Sequence, residues 1–348
     1  MLGRVAGLTV RPQPIDALRA ALAFVQAAMV CTSWSLWQAR TLPANLPAAD
    51  WLPALPIGWL LLACCVLVVV RPPIGIVANA VVLVVAIALD QLRLQPELVS
   101  IAVLLAATGP WRASRTLGWA TLSSLWLWAG IGKLLSTGFE PIAELASSRL
   151  GVAGLAGAAV WAIPVGEIVL GVAAAVPAAR RWAGWAGAAL HLVAPFALAI
   201  PLRSPIAWWN LGLAAAAVVL LALDAPTPDP RPAPSPALAR GLVAFLFAYP
   251  LLAYVGVIDP YLGHHLYSGD IPTASVCTPE GGCSDFGILA TRGALGVPIP
   301  PTARMFERWF LAGCTPGEEL QVTGMRLRWP LDGLPVTRAT TVTCPTQR

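Results

Sequence analysis

Charged residues are scarce in this 348-residue chain, and lysine is almost absent from it. Only 11% of the residues are charged, while 57% are hydrophobic and the mean hydropathy is +0.73. Soluble domains carry about 25% charged residues. The composition therefore excludes an ordinary soluble domain and predicts an integral membrane protein that contacts the lipid bilayer.

Several motifs that would indicate other functions are missing. The sequence has no Walker motif and no glycine-rich dinucleotide fingerprint after a strand. CxxC spacing is also absent, so no metal site is predicted. The net charge of +5 does not indicate a nucleic-acid partner, because the arginines cluster at the ends of apolar runs, where they set membrane topology.

Apolar segments are the main feature of the first 257 residues. They approach the roughly 20 residues that a spanning helix needs and predict a mainly α, polytopic bundle of about nine helices, at 16–38, 51–70, 74–91, 97–110, 117–135, 153–178, 182–202, 205–223 and 238–257. The segment at 97–110 is short, and the sequence leaves open whether it spans.

Arginine positions predict the orientation of this bundle. If all nine segments cross, one side holds Arg4, Arg11, Arg71, Arg112, Arg115, Arg180, Arg181, Arg231 and Arg240. The other side holds Arg40, Arg93, Arg149 and Arg203. Because the arginine-rich side is the cytoplasmic one, the N-terminus is predicted inside and the C-terminus outside.

The cysteine positions also distinguish the apolar part of the chain from its polar C-terminal region. Three of them, Cys31, Cys64 and Cys65, lie in apolar segments, where a thiol usually packs as a small hydrophobe. Four lie in the polar region 258–348, which is predicted to be a small β-rich extracytoplasmic domain: Cys277, Cys283, Cys314 and Cys344. Four cysteines allow three pairings, and we favour Cys277 with Cys283 and Cys314 with Cys344.

Polar residues inside the apolar segments are few. Glu167 and His191 lie at comparable depths on helices joined by a short turn, so an ion pair between them is geometrically allowed. A functional role is favoured for both residues, because placing a charged side chain in mid-membrane costs free energy. Asn210 lies in the outer half of its helix, where an interhelical hydrogen bond is the more common role.

The single lysine, Lys133, also lies in the outer half of the bilayer in this topology. Arginine stays charged, whereas a desolvated lysine can lose its proton and act as a base, although it can also extend its amine to the interface. Asp90, Gln91 and Arg93 flank the outer end of the third segment, where a salt bridge or an anchor is the alternative role. Together these residues predict one polar pocket in the outer leaflet.

The segment LWLWAGIGKLLSTGFEP resembles the Y-x-x-[SA]-G-x-x-K-L-x-x-x-[WF] motif of the vitamin K-dependent γ-glutamyl carboxylases and their bacterial HTTM relatives. The acidic residue and histidine of the next two helices and the segment HHLYSGD are similar to that family as well. The resemblance implies a protein of the bacterial cytoplasmic membrane that uses a vitamin K-like quinone. It also implies that Lys133 is the base that deprotonates the quinol and that His191 orients a quinol oxygen.

The chain departs from the animal carboxylases in two respects. Gly132 precedes Lys133 where those enzymes have a lysine pair, and only about 90 residues follow the last segment. A quinone-using relative with another substrate therefore fits better than a carboxylase of proteins. Glu167, His191 and the run Trp208–Trp209–Asn210 also resemble the small DoxX/MauE-type membrane proteins, which are associated with quinol or thiol redox and cofactor maturation.

Three functions follow as hypotheses. The first is a quinone-dependent membrane enzyme with Lys133 as base and with Glu167, His191, Trp209 and Asn210 shaping the pocket. The second is a non-catalytic membrane partner that holds a redox or cofactor-maturation complex through its extracytoplasmic region. The third is a proton-coupled transporter, although no inverted repeat is evident.

Overall fold

Apolar helices dominate the computed structural model, which describes residues 13–41, 44–136, 138–223, 235–254, 257–258, 260, 262–264, 271–286, 295–324 and 339–345. The first eleven helices are α1 (Pro14–Thr32), α2 (Gly58–Val70), α3 (Pro72–Leu89), α4 (Pro96–Ala107), α5 (Ser114–Leu134), α6 (Glu140–Arg149), α7 (Ala156–Ala175), α8 (Arg180–Ala197), α9 (Pro205–Ala217), α10 (Pro236–Ala248) and α11 (Leu251–Tyr254). A π-helical turn, Val218–Ala222, extends α9. Many of these helices begin at a proline, whose fixed φ suits the first turn.

The multi-pass membrane prediction is confirmed at the level of helix length and composition. Five helical segments of the described chain are long and apolar enough to cross a bilayer: Pro14–Thr32, Pro72–Leu89, Ala153–Ala175, Pro205–Ala222 and Pro236–Tyr254. Helices α5 and α8 reach 21 and 18 residues but are less apolar. The count of nine crossings and the orientation stay predictions.

The helices differ from the predicted spans in two respects. Each predicted segment contains a helix, but α4 has only 12 residues and α2, predicted at 51–70, has only 13. At 1.5 Å per residue α4 is about 18 Å long, short of the roughly 30 Å hydrocarbon core. The second difference is α6, a 10-residue helix that no apolar segment predicted, because Glu140, Glu144 and Arg149 interrupt its hydrophobic residues.

Small residues bring α5 and α7 into close contact. A methyl group at Gly130 would lie 2.5 Å from the carbonyl oxygen of Pro164, and one at Gly171 would lie 2.6 Å from the backbone nitrogen of Leu127. The hydroxyl of Ser123 donates a hydrogen bond to the Gly171 carbonyl across the same contact. Glycine and serine at this interface let the two backbones approach each other, as is common for helices packed in membranes.

A cluster of charged groups, the loop cluster, ties together the loops at one end of the bundle. It consists of Arg40, Asn45, Asp90 and Arg93. The Asp90 carboxylate accepts hydrogen bonds from Arg40 and Asn45, and one of its oxygens lies 3.7 Å from Nε of Arg93. Burial lowers the pKa of Arg93 to about 10, and the Asp90 charge opposes that shift, so the guanidinium stays charged at neutral pH.

The C-terminal region carries a small antiparallel sheet. Its strands are β1 (Ala274–Cys277), β2 (Cys283–Asp285), β3 (Glu319–Val322) and β4 (Thr340–Thr343), in the order β2-β1-β3-β4. Helix α12 (Ala303–Leu311) packs on this sheet through Phe306 and Phe310. The predicted β-rich character is confirmed for these strands. The run at 287–290, also expected in the β-rich region, lies outside the described residues.

Both favoured disulfides are confirmed, Cys277–Cys283 and Cys314–Cys344. The first joins β1 to β2, and the second joins the residues after α12 to the end of β4. The cysteines predicted to stay free, Cys31, Cys64 and Cys65, are free thiols in α1 and α2.

The C-terminal region lies on the same end of the bundle as the loop cluster. The side-chain amide of Gln95 donates to the carbonyl of Pro298 (3.2 Å), and Arg308 pairs with Asp50 (3.0 Å). Both contacts involve loops that connect helix ends. The domain boundary predicted at residue 257 stays a prediction.

Candidate functional site

A cavity of about 230 Å³ lies among the helices from α4 to α9. Its wall is mostly apolar, with side chains such as Leu125, Ile142 and Leu190. Polar groups enter it from α4, α5, α7, α8 and α9, and His264 enters it from the segment after the last bundle helix. A mostly apolar wall with a few converging polar groups is typical of small-molecule sites.

The charged part of the wall is an ion pair between α5 and α7. The Lys133 ammonium donates to both carboxylate oxygens of Glu167, at 2.8 and 2.6 Å. The two side chains are only 6% and 11% exposed. The Lys133 nitrogen also lies 5.9 Å from the centre of the Phe139 ring. Since the Gly130 contact draws α5 against α7 one turn before Lys133, the helix packing positions this pair.

His191 forms the second polar group of the wall, and both of its ring nitrogens are occupied. The indole nitrogen of Trp126 donates to Nε2 (2.9 Å), and Nδ1 lies 2.9 Å from Oδ1 of Asn210. An indole N–H can only donate, so Nε2 must accept and the ring proton lies on Nδ1. Asn210 completes the network by donating from Nδ2 to the Ile206 carbonyl (2.9 Å).

Gly187 makes room for this network. It lies one turn before His191 on α8, and a methyl group there would come within 2.3 Å of the Trp126 indole. The absence of a side chain at Gly187 lets the indole pass across α8 and reach the imidazole. The sequence offers no sign of this relationship, because the two residues belong to different helices.

A third polar group connects α9 to α4. Trp209 donates from its indole nitrogen to the hydroxyl of Ser100 (2.7 Å), and Ser100 donates to the carbonyl of Glu97 (2.9 Å). All three residues line the cavity. This network orients Trp209 with its ring against the cavity and its polar atom satisfied.

The structure brings together five of the residues predicted for one pocket. Lys133, Glu167, His191, Trp209 and Asn210 all line the cavity. The pair of Glu167 with His191, which their comparable depths allow, does not form. Glu167 binds Lys133, and His191 binds Trp126 and Asn210.

A correction concerns three residues that do not line the cavity, Asp90, Gln91 and Arg93. They lie at the predicted end of α3, but their side chains form hydrogen bonds with the neighbouring loops. Gln91 donates to the Pro47 carbonyl, and Arg93 donates to the carbonyls of Leu36, Gln38 and Leu55. These contacts give the three residues a role in holding loops.

Four residues that bring polar groups to the wall were not predicted from the sequence: Glu97, Ser100, Trp126 and His264. The signal for His264 was present, since it begins the histidine pair after the last apolar segment. Its Nε2 lies 2.9 Å from the hydroxyl of Tyr249 on α10's end. Glu97 could have been noticed as an acidic residue that opens an apolar segment.

The arrangement limits the chemistry of the candidate residues. The Lys133 nitrogen donates to both carboxylate oxygens of Glu167, so this contact already engages it. His191 has no ring nitrogen left for a ligand unless one of its two hydrogen bonds breaks. The free thiols lie on α1 and α2, which contribute no described residue to the wall.

Comparison with known proteins gives one match. The family model described as methylamine utilisation protein MauE matches residues 105–204, less than a third of the chain. The match contains α5 to α8, and therefore Lys133, Glu167 and His191, and it ends before α9. It supports the MauE-type part of the resemblance and does not extend to the carboxylase-like part. No curated protein and no solved structure matches the chain.

Proposed function

We propose that this chain is a membrane accessory protein of the MauE type that serves a redox or cofactor-maturation system without catalysing a reaction. In this proposal the cavity holds a lipid-soluble molecule with a polar head, for which a vitamin K-like quinone is the best candidate. The observation that carries the proposal is the mostly apolar cavity with the Lys133–Glu167 pair in its wall.

The hydrogen bonds that Lys133 and His191 already make within the protein favour ligand binding over catalysis. Lys133 is held as an ammonium by a two-oxygen contact with Glu167, and His191 uses both nitrogens in structural hydrogen bonds. A general base needs a free lone pair within reach of the proton it removes. In the described state neither side chain offers one to the cavity.

The charges of the wall favour an uncharged polar head. Among the described residues, the wall holds one ammonium, Lys133, and two carboxylates, Glu97 and Glu167. Because Glu167 already balances Lys133, an anionic head such as a phosphate or a fatty-acid carboxylate finds no unbalanced cation there. A quinone or quinol is neutral, and one of its oxygens can accept a hydrogen bond from Lys133, whose ammonium has three N–H donors and uses two on Glu167.

The location of the C-terminal region belongs to the same proposal. Its two disulfides suit an oxidising compartment, in agreement with the predicted cytoplasmic-membrane location, N-terminus in and C-terminus out. An extracytoplasmic protein partner would then dock on this region, directly above the helix ends that surround the cavity. The contacts of Gln95 with Pro298 and of Arg308 with Asp50 would couple that partner to the bundle.

The test is the quinone content of the purified protein. We expect lipid extraction of wild-type protein to release quinone in about equal amount to the protein. The variant Ala194→Trp fills the cavity from α8 and should lose the quinone, whereas Ala158→Trp, at an exposed position of α7, should keep it. Wild-type protein that carries no quinone and takes none up would refute the proposal.

A catalytic role for Lys133 is the second candidate, because this residue lines the cavity. The variant Lys133→Arg separates the two. Arginine pairs with a carboxylate through two hydrogen bonds but cannot give up its proton. A Lys133→Arg protein that keeps quinone and still supports the partner system favours the accessory role, while one that keeps quinone and loses all function favours the base.

A further inference from the structure

The cavity wall is incomplete toward the outside of the bundle on the side of α6 and α8. Two of its lining residues on that side are strongly exposed, Leu150 at 51% and Val193 at 45%. By contrast, Trp126, Ala129 and His191, on the inner wall, are almost fully buried. The exposed lining residues mark where the cavity meets the surroundings of the protein.

The surface around this opening is apolar along α8, whereas the exposed Arg149 lies beside Leu150 at the end of α6. On α8, Val193 lies beside Leu192 (48% exposed) and near Phe196 (79%), and Leu150 is followed by the exposed Val152 and Leu155. In a membrane protein such a surface contacts lipid tails. On its α8 side the opening therefore meets the hydrocarbon phase.

The size of the cavity limits what it encloses. About 230 Å³ is below the roughly 300–1,000 Å³ of pockets that surround drug-sized ligands. A quinone head of one ring or two fused rings fits that space, whereas a long hydrocarbon tail does not. A ligand with such a tail needs an exit, and the gap beside Leu150 and Val193 provides one.

We infer that the ligand enters the cavity laterally from the bilayer and that part of it remains in this gap. This inference rests on the proposed function. The ring of the ligand lies in the cavity beside Lys133 and Glu167, and its polyprenyl tail passes between α6 and α8 into the lipid. The ligand class is then a quinone with a polyprenyl tail, and the residues that distinguish it from a tailless quinone are Leu150 and Val193.

The experiment compares two probes and matched variants in lipid nanodiscs. The probes are 2-methyl-1,4-naphthoquinone, which has no tail, and the same ring with a polyprenyl tail. Val193→Trp narrows the gap, and Leu192→Trp places an equal side chain on the neighbouring, similarly exposed position that does not line the cavity. Leu150→Trp narrows the gap from the α6 side and serves as the second variant.

The expected result is selective. Val193→Trp and Leu150→Trp should weaken binding of the tailed probe at least about tenfold, which corresponds to about 1.4 kcal/mol. They should leave binding of the tailless probe within about twofold of wild type. Leu192→Trp should bind both probes as the wild type does.

Two outcomes overturn the inference, and they differ from failure of the proposed function. If both gap variants bind the tailed probe as tightly as wild type, the tail does not pass this gap. If they lose both probes equally, the positions act on the ring and not on a tail. If the wild type binds neither probe, the quinone proposal itself fails.

Discussion

The ammonium of Lys133 and the carboxylate of Glu167 form a two-oxygen ion pair that joins α5 to α7 inside the bundle, with nitrogen–oxygen distances of 2.8 and 2.6 Å. The chain contains no other lysine. The pair makes Lys133 a structural partner of Glu167 as well as part of the cavity wall. Changes at either position therefore affect stability and binding together, and experiments need to separate the two effects.

Glu167→Gln should destabilise the bundle strongly. The variant leaves the Lys133 ammonium buried without a counter-charge, and removing one partner of a buried pair costs about 3–5 kcal/mol. Thermal unfolding in detergent measures the loss. The double variant Lys133→Met with Glu167→Leu should recover most of it, because a well-packed apolar pair replaces both charges. Wild-type stability in Glu167→Gln would mean that the pair contributes nothing.

Gly187→Ala should displace the Trp126 indole and disturb His191. The added methyl group would lie 2.3 Å from the indole ring, and overpacking of this kind costs about 1–3 kcal/mol. We expect a lower melting temperature and weaker quinone binding. Gly166→Ala is the matched control on α7, since nothing lies within 4 Å of the new methyl group. It should be neutral or slightly stabilising, because alanine favours helix, and equal behaviour of the two variants would argue against the Trp126–His191 contact.

Arg93→Lys should loosen the loops at the end of the bundle although the charge is kept. The guanidinium, fully buried, donates to three carbonyls, those of Leu36, Gln38 and Leu55. An ammonium cannot reproduce this planar set of donors, and each bond to a charged group contributes about 1.5–3 kcal/mol. We expect a loss of at least about 2 kcal/mol in thermal unfolding. Arg149→Lys, at an exposed position of α6, should change nothing measurable.

Cysteine labelling tests the predicted topology. In a Cys31→Ala background, Gln321→Cys places an exposed thiol on β3, and Arg112→Cys places one between α4 and α5. With the C-terminus outside, a membrane-impermeant maleimide should label the first in intact cells and the second only after permeabilisation. The reverse pattern would place the C-terminal region in the cytoplasm.

Helix positions were predictable from hydropathy, because each apolar run contains a helix. Helix α6 was not predictable in this way, because polar residues such as Glu140 and Arg149 interrupt the apolar pattern of this short helix, which lines one side of the cavity. Its contribution arises from packing against α7 and α8, which hydropathy does not report. Helix length was overestimated for the segment at 51–70, whose helix α2 begins only at Gly58.

The partners of the cavity residues were less predictable than their depths. Residue spacing places Glu167, His191 and Lys133 along the membrane normal, but it does not say which faces of the helices meet. The close α5–α7 contact at Gly130 decides that Glu167 meets Lys133 and not His191. For the same reason depth alone wrongly assigned Arg93 to the cavity, although loop carbonyls surround it.

The single lysine gives the protein a built-in chemical reporter. Apart from any α-amino group, an amine-reactive reagent has one target in the whole sequence, Lys133, which lines the cavity. The reagent reacts with the unprotonated amine, so modification requires Lys133 to leave its ion pair with Glu167. Mass spectrometry of the intact chain would then count one adduct per accessible cavity. A bound molecule that covers Lys133 slows that adduct, so the rate of a single modification reads out occupancy without any label introduced by mutation.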